Sequence, residues 1–115
     1  MNHKELDVWN LSMQFVVDIY ELTKKFPHSE QFGLTNQLRR SAVSIPSKIA
    51  EGAVREHTKE YKQFLSIARG SAAESETQLL IAQSLRYIDN ELSDLILEKN
   101  KRIMMMLTAM IRKMR

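Results

Sequence analysis

The chain has 115 residues, 43% hydrophobic, 27% charged and 7% aromatic, with no cysteine, a formal net charge of +3 and a pI near 9.3. That length suits a single domain over 1–115 with one core, the composition is globular rather than disordered, and the missing cysteines exclude a disulfide framework and a thiolate metal site. No apolar run reaches the roughly eighteen residues of a membrane span, and the first residues carry acids without an apolar h-region, so a soluble, unprocessed cytoplasmic protein is expected.

Four helices are predicted in chain order. In the first, Leu6, Trp9, Met13, Val16 and Tyr20 recur at steps of three and four, with Phe15, Ile19, Leu22 and Phe26 beside them. Such a pattern gives a helix with a wide apolar face. It should stop near Phe26, because Pro27 disfavours helical geometry in the residue before it. A loop over His28 to Gly33 follows.

The second helix is expected to begin at Thr35 or Asn36, either of which can cap, and to run to about Val54. Leu38, Ala42, Ile45, Ile49 and Ala53 mark its inner face, and Pro46 falls in the middle of that run. Proline removes one backbone hydrogen bond and crowds the preceding turn, at about 3 kcal/mol or more in an ordinary helix interior. A proline-kinked helix compensated by packing is therefore expected.

The third helix is predicted from Thr58, its candidate cap, to about Tyr87. Tyr61, Phe64, Leu65, Ala68, Ala72, Ser75, Leu79 and Ala82 face inward. After an Asp89-Asn90 turn, the fourth helix, capped by Asn90, turns Leu92, Ile96, Ile103, Leu107, Met110 and Met114 inward. Met104 and Met106 fall towards that face and Met105 towards solvent. Short connections make neighbours antiparallel, so the expected fold is all-α, an up-down-up-down antiparallel four-helix bundle.

Several features exceed what a single core uses. Ile67, Ile81 and Leu85 form an extra stripe about a hundred degrees from the Ala68, Ala72 and Leu79 face, which suits either a wide core or a second subunit. Close packing near Gly70 is expected to offset the roughly 1 kcal/mol that glycine costs in a helix. Ile67, Gly70, Glu74, Ile81 and Leu85 are thus the candidate oligomer interface. Basic charge concentrates in two segments, one with Arg39, Arg40, Lys48 and Arg55, and a carboxyl-terminal one ending in Arg112, Lys113 and Arg115. These seven are candidates for contacting backbone phosphates of a nucleic acid, which cations neutralise without reading sequence. The helix macrodipole gives the last three an alternative role. Arg40, Ser44, Ser47 and Glu51 share one side of the second helix, suited to solvent, to intersubunit ion pairs or to phosphate.

Catalytic signals are weak. Glu74 and Glu76 point about two hundred degrees apart on a helix and cannot act as an acid/base pair. Ion pairing with Arg69 or with an arginine of the second helix is expected for them. His3, His28 and His57 supply no Glu-x-x-His repeat, so no metal, cofactor or catalytic residue is expected.

The run Leu-Arg-Arg-Ser-Ala-Val-Ser-Ile-Pro-Ser-Lys-Ile-Ala-Glu-Gly at 38–52, Phe-Leu-Ser-Ile-Ala-Arg-Gly-Ser-Ala-Ala-Glu at 64–74 and Gln-Leu-Leu-Ile-Ala at 78–82 carry a resemblance. Together they resemble the four-helix-bundle family encoded in intervening sequences of bacterial 23S ribosomal RNA genes. The likeness extends more loosely over the whole chain, including Trp9. It implies a ring-like homo-oligomer, a pentamer, with a link to RNA and no known catalytic activity. The accessory proteins of diversity-generating retroelements look similar in architecture, and there a basic oligomer partners a reverse transcriptase and nucleic acid. Ser75 departs from the family pattern, which usually has leucine between the two glutamates, and this bears on the packing around Glu74 and Glu76. The resulting expectation is a non-enzymatic oligomer that binds RNA or a ribonucleoprotein electrostatically. The alternative is a protein-interaction scaffold for a nucleic-acid enzyme such as a reverse transcriptase.

Overall fold

The computed structural model describes residues 2–114. Among these, four α-helices, α1 (Asp7–Thr23), α2 (Leu34–Ala53), α3 (Thr58–Ser84) and α4 (Asn90–Lys113), are joined by short connections, with no strand. Each helix packs on two others: α1 and α3 both touch α2 and α4 but do not touch each other. The all-α four-helix bundle expected from the apolar periodicity is what forms.

Its core combines Phe15, Ile19 and Leu22 of α1 with Leu38, Ile45 and Ile49 of α2, Leu65 and Leu79 of α3, and Ile103 and Leu107 of α4, all essentially inaccessible. On α1 only the second predicted stripe reaches the centre. Met13 and Tyr20 of the first stripe are 42% and 41% exposed, because of the other three α-helices α1 meets only α2 and α4, and one stripe suffices to touch both. Pro46 lies buried inside α2, whose helix runs uninterrupted from Leu34 to Ala53. Fully buried Leu and Ile side chains contribute about 1.5–3 kcal/mol each, so the flanking Ala42, Ile45 and Ile49 are sufficient to offset the proline.

The helix ends differ from expectation for local reasons. α1 stops at Thr23, and its last turn tightens through Lys25 N–H to Leu22 O and Phe26 N–H to Thr23 O, each 3.1 Å. Neither Thr35 nor Asn36 caps α2. It begins at Leu34, whose N–H is accepted at 3.1 Å by the Glu30 carboxylate from the preceding turn. Thr58 is the first residue of α3 rather than its cap, and that helix ends at Ser84. Arg86 there takes a φ of 61°, while its N–H bonds Gln83 O and the Tyr87 N–H bonds Ala82 O, both at 3.0 Å. This pair of bonds is the Schellman closure that normally recruits glycine. At the start of α4 the cap is Asp89, not Asn90, its carboxylate accepting the Glu91 N–H at 3.0 Å.

Candidate functional site

Beside their apolar core faces, the motif residues of α2 and α3 meet along a seam, a line of hydroxyls. Ser41 Oγ lies 2.8 Å from Ser75 Oγ and donates to Gln78 Oε1 at 2.7 Å, Ser71 donates to Ser44 Oγ at 2.9 Å, and Ser75 donates to Ser71 O at 3.0 Å. Ser41, Ser71 and Ser75 are buried. Ser75 is thus an integral part of the seam, in a fully enclosed position against Ser41. Further along, Gly52 lets the start of α3 come close, for a Cβ there would sit 2.8 Å from Phe64 Cβ and 2.9 Å from Tyr61 Cδ1. The Ile-Ala-Glu-Gly end of the motif thereby acquires a packing role.

Outside this seam the candidate cations separate into distinct settings. Arg39 is half-buried, its Nε donating to Thr23 Oγ1 at 2.7 Å and its guanidinium 4.6 Å from the centre of the Tyr20 ring. Arg40, its neighbour, is exposed beside Asn36, Gln37 and Glu74 at the mouth of a polar groove of about 410 Å³. Lys48 pairs with Glu51 at 3.0 Å, and Arg55 approaches Glu60 at 3.9 Å while lying 4.6 Å over the Phe64 ring. Arg112 and Lys113 are exposed in the last turn of α4; Arg115 lies outside the described residues.

Ile67 and Ile81 are each 44% exposed and Leu85 49%, on the side of α3 away from the core. Glu74 and Gly70 are exposed on the same helix. The expectation of close packing at Gly70 fails within one chain, since a Cβ added there meets no atom within 4 Å. The expected ion pairs of Glu74 and Glu76 are also absent among the described residues. Arg69 instead donates to Thr108 Oγ1 at 3.2 Å, because it leans across the α3–α4 boundary.

The motif segments that carry the sequence resemblance are therefore the same ones that form the α2–α3 seam. Residues 4–109 match the family of 23S rRNA-intervening sequence proteins. The chain belongs to this family. Among solved structures, it is similar to a protein of unknown function from the S23 ribosomal protein family of Bacteroides thetaiotaomicron, with a TM-score of 0.85 and 28% identity over 90% of this chain and 97% of that one. No curated protein matches the sequence.

In this intervening-sequence protein, α3 and α4 also frame a groove of about 550 Å³ between Glu76, Lys101, Met104, Met105, Thr108 and Arg112. Lys101, Met105, Thr108 and Arg112 are spaced by four, three and four residues, which places them on one side of α4. That spacing is the signal in the sequence for Lys101, Met105 and Thr108, which charge alone does not join to Arg112. Among the described residues, no cluster of three or more His, Asp or Glu is arranged to hold a metal. No helix is long and apolar enough to cross a membrane.

Proposed function

We propose that the protein acts as a cytoplasmic homo-oligomer that binds RNA or a ribonucleoprotein through electrostatics, in a binding rather than a catalytic role. The observation that supports it most directly is the set of exposed cations, Arg40, Lys101, Arg112 and Lys113, none with a carboxylate within 4.0 Å among the described residues. Membership of a family named for 23S rRNA intervening sequences agrees with that chemistry. Oligomerisation would cover Ile67, Ile81 and Leu85 and would give the open surface at Gly70 a close neighbour. A pentamer is the copy number that the family resemblance implies. A ring multiplies each cation by the number of subunits, so a modest charge per chain becomes a sizeable field.

The test is anisotropy-monitored binding of a structured RNA across a salt series, with oligomeric mass measured alongside. Binding should weaken steeply with salt, and an Arg40→Ala/Arg112→Ala/Lys113→Ala variant of unchanged mass should show a shallower slope, each lost phosphate contact removing about 1 or a little less from it. No binding at low salt by an intact oligomer would overturn the RNA reading. It would favour the second reading, a scaffold for a protein such as a reverse transcriptase, which the apolar outer stripe of α3 could equally serve.

A further inference from the structure

The α3–α4 groove has a chemistry different from that of a plain cationic patch. Lys101 and Arg112 stand at its two ends, eleven residues or about 16 Å apart along α4, a distance that spans several phosphates of a strand. Between them the surface is apolar: Met105 is 63% exposed and Met104 is partly buried against the core, with Ala109 alongside. From the opposite wall α3 contributes the half-buried carboxylate of Glu76. The Thr108 hydroxyl, which accepts the Arg69 guanidinium, lines the same groove.

A carboxylate lining the same groove as two cations repels phosphate and accepts N–H donors. A continuous duplex would bring phosphates to Lys101 and Arg112 but would leave the apolar floor uncovered, because its base faces are stacked inside. An acidic peptide could cover the floor, yet would bring its own carboxylates against Glu76. An unpaired nucleotide meets all three requirements: anionic phosphates for the cations, a flat apolar base face for the methionines, and N–H groups on the base edge for Glu76.

We propose that the α3–α4 groove takes an unpaired nucleotide within single-stranded RNA, with phosphates of the strand on either side of it at Lys101 and Arg112, its base on Met104, Met105 and Ala109, and its N–H edge towards Glu76. This deepens the RNA-binding reading and rests on it. Single-stranded or looped RNA is accordingly the preferred form.

The experiment compares a single-stranded RNA oligomer, the same oligomer with abasic positions and a duplex of equal phosphate number, each against the wild-type protein and the Met105→Ser, Glu76→Gln and Lys101→Ala variants. Met105 is exposed, so Met105→Ser should fold; circular dichroism confirms it. Met105→Ser should weaken single-strand binding by about threefold to tenfold with the salt slope and duplex binding unchanged, and the abasic oligomer should be indifferent to that substitution. Lys101→Ala should weaken all three ligands and reduce the slope. Glu76→Gln should alter the preference among bases more than the affinity for the abasic strand. If single strand and duplex bind equally and Met105→Ser changes neither, the groove assignment is overturned while the RNA reading stands. If no RNA binds, both fall. An acidic peptide of equal charge that binds as tightly as the oligomer, with the same sensitivity to Met105→Ser, would also overturn the assignment and make a protein the occupant.

Discussion

The Glu30 carboxylate accepts the Tyr87 hydroxyl at 2.8 Å, tying the turn before α2 to the turn after α3 across fifty-seven residues of sequence. Its other oxygen accepts the Leu34 N–H, and Tyr87 packs its ring 5.6 Å from that of Phe26. One side chain thus starts α2 and fastens the far end of α3.

These bonds set a pH dependence. The Leu34 N–H, followed by the Tyr87 hydroxyl, holds the Glu30 carboxyl below its ordinary value. A carboxyl with a lowered folded pKa contributes stability that is present above its unfolded value, about 4.3, and is lost as pH falls through the lower folded value. Tyr87 behaves in the opposite direction: the bond to Glu30 raises its pKa, so its share is complete below about 10 and is lost as pH rises through the folded value. In Glu30→Gln, acid unfolding followed by circular dichroism should lose part of its low-pH dependence and the neutral-pH melting temperature should fall.

Replacing Gly52 by alanine should destabilise the fold. Alanine gains roughly 1 kcal/mol in helix propensity, but its Cβ meets Phe64 and Tyr61 at 2.8 and 2.9 Å, and overpacking typically costs about 1–3 kcal/mol. Urea unfolding should therefore show a lower midpoint. Gly70→Ala has no such obstacle and should stabilise an isolated subunit by about 0.5–1 kcal/mol. If a partner subunit approaches there, sedimentation should show the same substitution weakening the oligomer.

Asn100 is completely buried, its Nδ2 donating to Ala72 O at 2.9 Å while its Oδ1 has no partner among the described residues. An orphaned buried acceptor is costly. Asn100→Leu should raise stability by about 1 kcal/mol, or roughly 4–6 °C in melting temperature for a domain of this size, whereas Asn100→Asp should lower it by about 3 kcal/mol or more through an uncompensated buried charge. Differential scanning calorimetry of both variants checks the contrast.

Arg39 and Arg40 are adjacent in sequence but should respond differently to truncation. Arg39→Ala removes the hydrogen bond to Thr23 and the contact with the Tyr20 ring and should cost about 1–2 kcal/mol. Arg40→Ala should lie within about 0.5 kcal/mol of wild type. Chemical denaturation of the single variants separates the two effects, and RNA titration of the folded variants should show a loss for Arg40→Ala and little for Arg39→Ala.

Much of the architecture was legible because apolar spacing carries it. Leu38, Ala42, Ile45 and Ile49, together with Leu65, Ala68, Ala72 and Leu79, fall on inner faces in the sequence and are buried, whereas the spacing of Ile67, Ile81 and Leu85 suits a wide core or an outer stripe and the fold leaves all three half-exposed. Helix ends were less legible because partners from elsewhere decide them. Glu30 begins α2 from outside the helix, and Arg86 closes α3 in a conformation usually left to glycine. The candidate site was the least legible part. Whether an arginine is available depends on what it touches, and nothing in the Arg39-Arg40 pair indicates that Thr23 and Tyr20 hold one of them. Nor does the position of Glu76 reveal that α3 carries it to the wall of a groove whose floor comes from α4.

The hydroxyl seam between α2 and α3 has a consequence for the outer surface. Methyl groups tolerate a small axial slide between two helices, but hydroxyl hydrogen bonds are directional, and a shift of an ångström or two would break the Ser41–Gln78 and Ser71–Ser44 bonds together. The seam therefore works as a vernier, fixing how far along the bundle each residue of α3 stands relative to α2. The distance between Arg40 on one helix and the stripe at Ile67, Gly70 and Ile81 on the other is calibrated by the serines that lie between them.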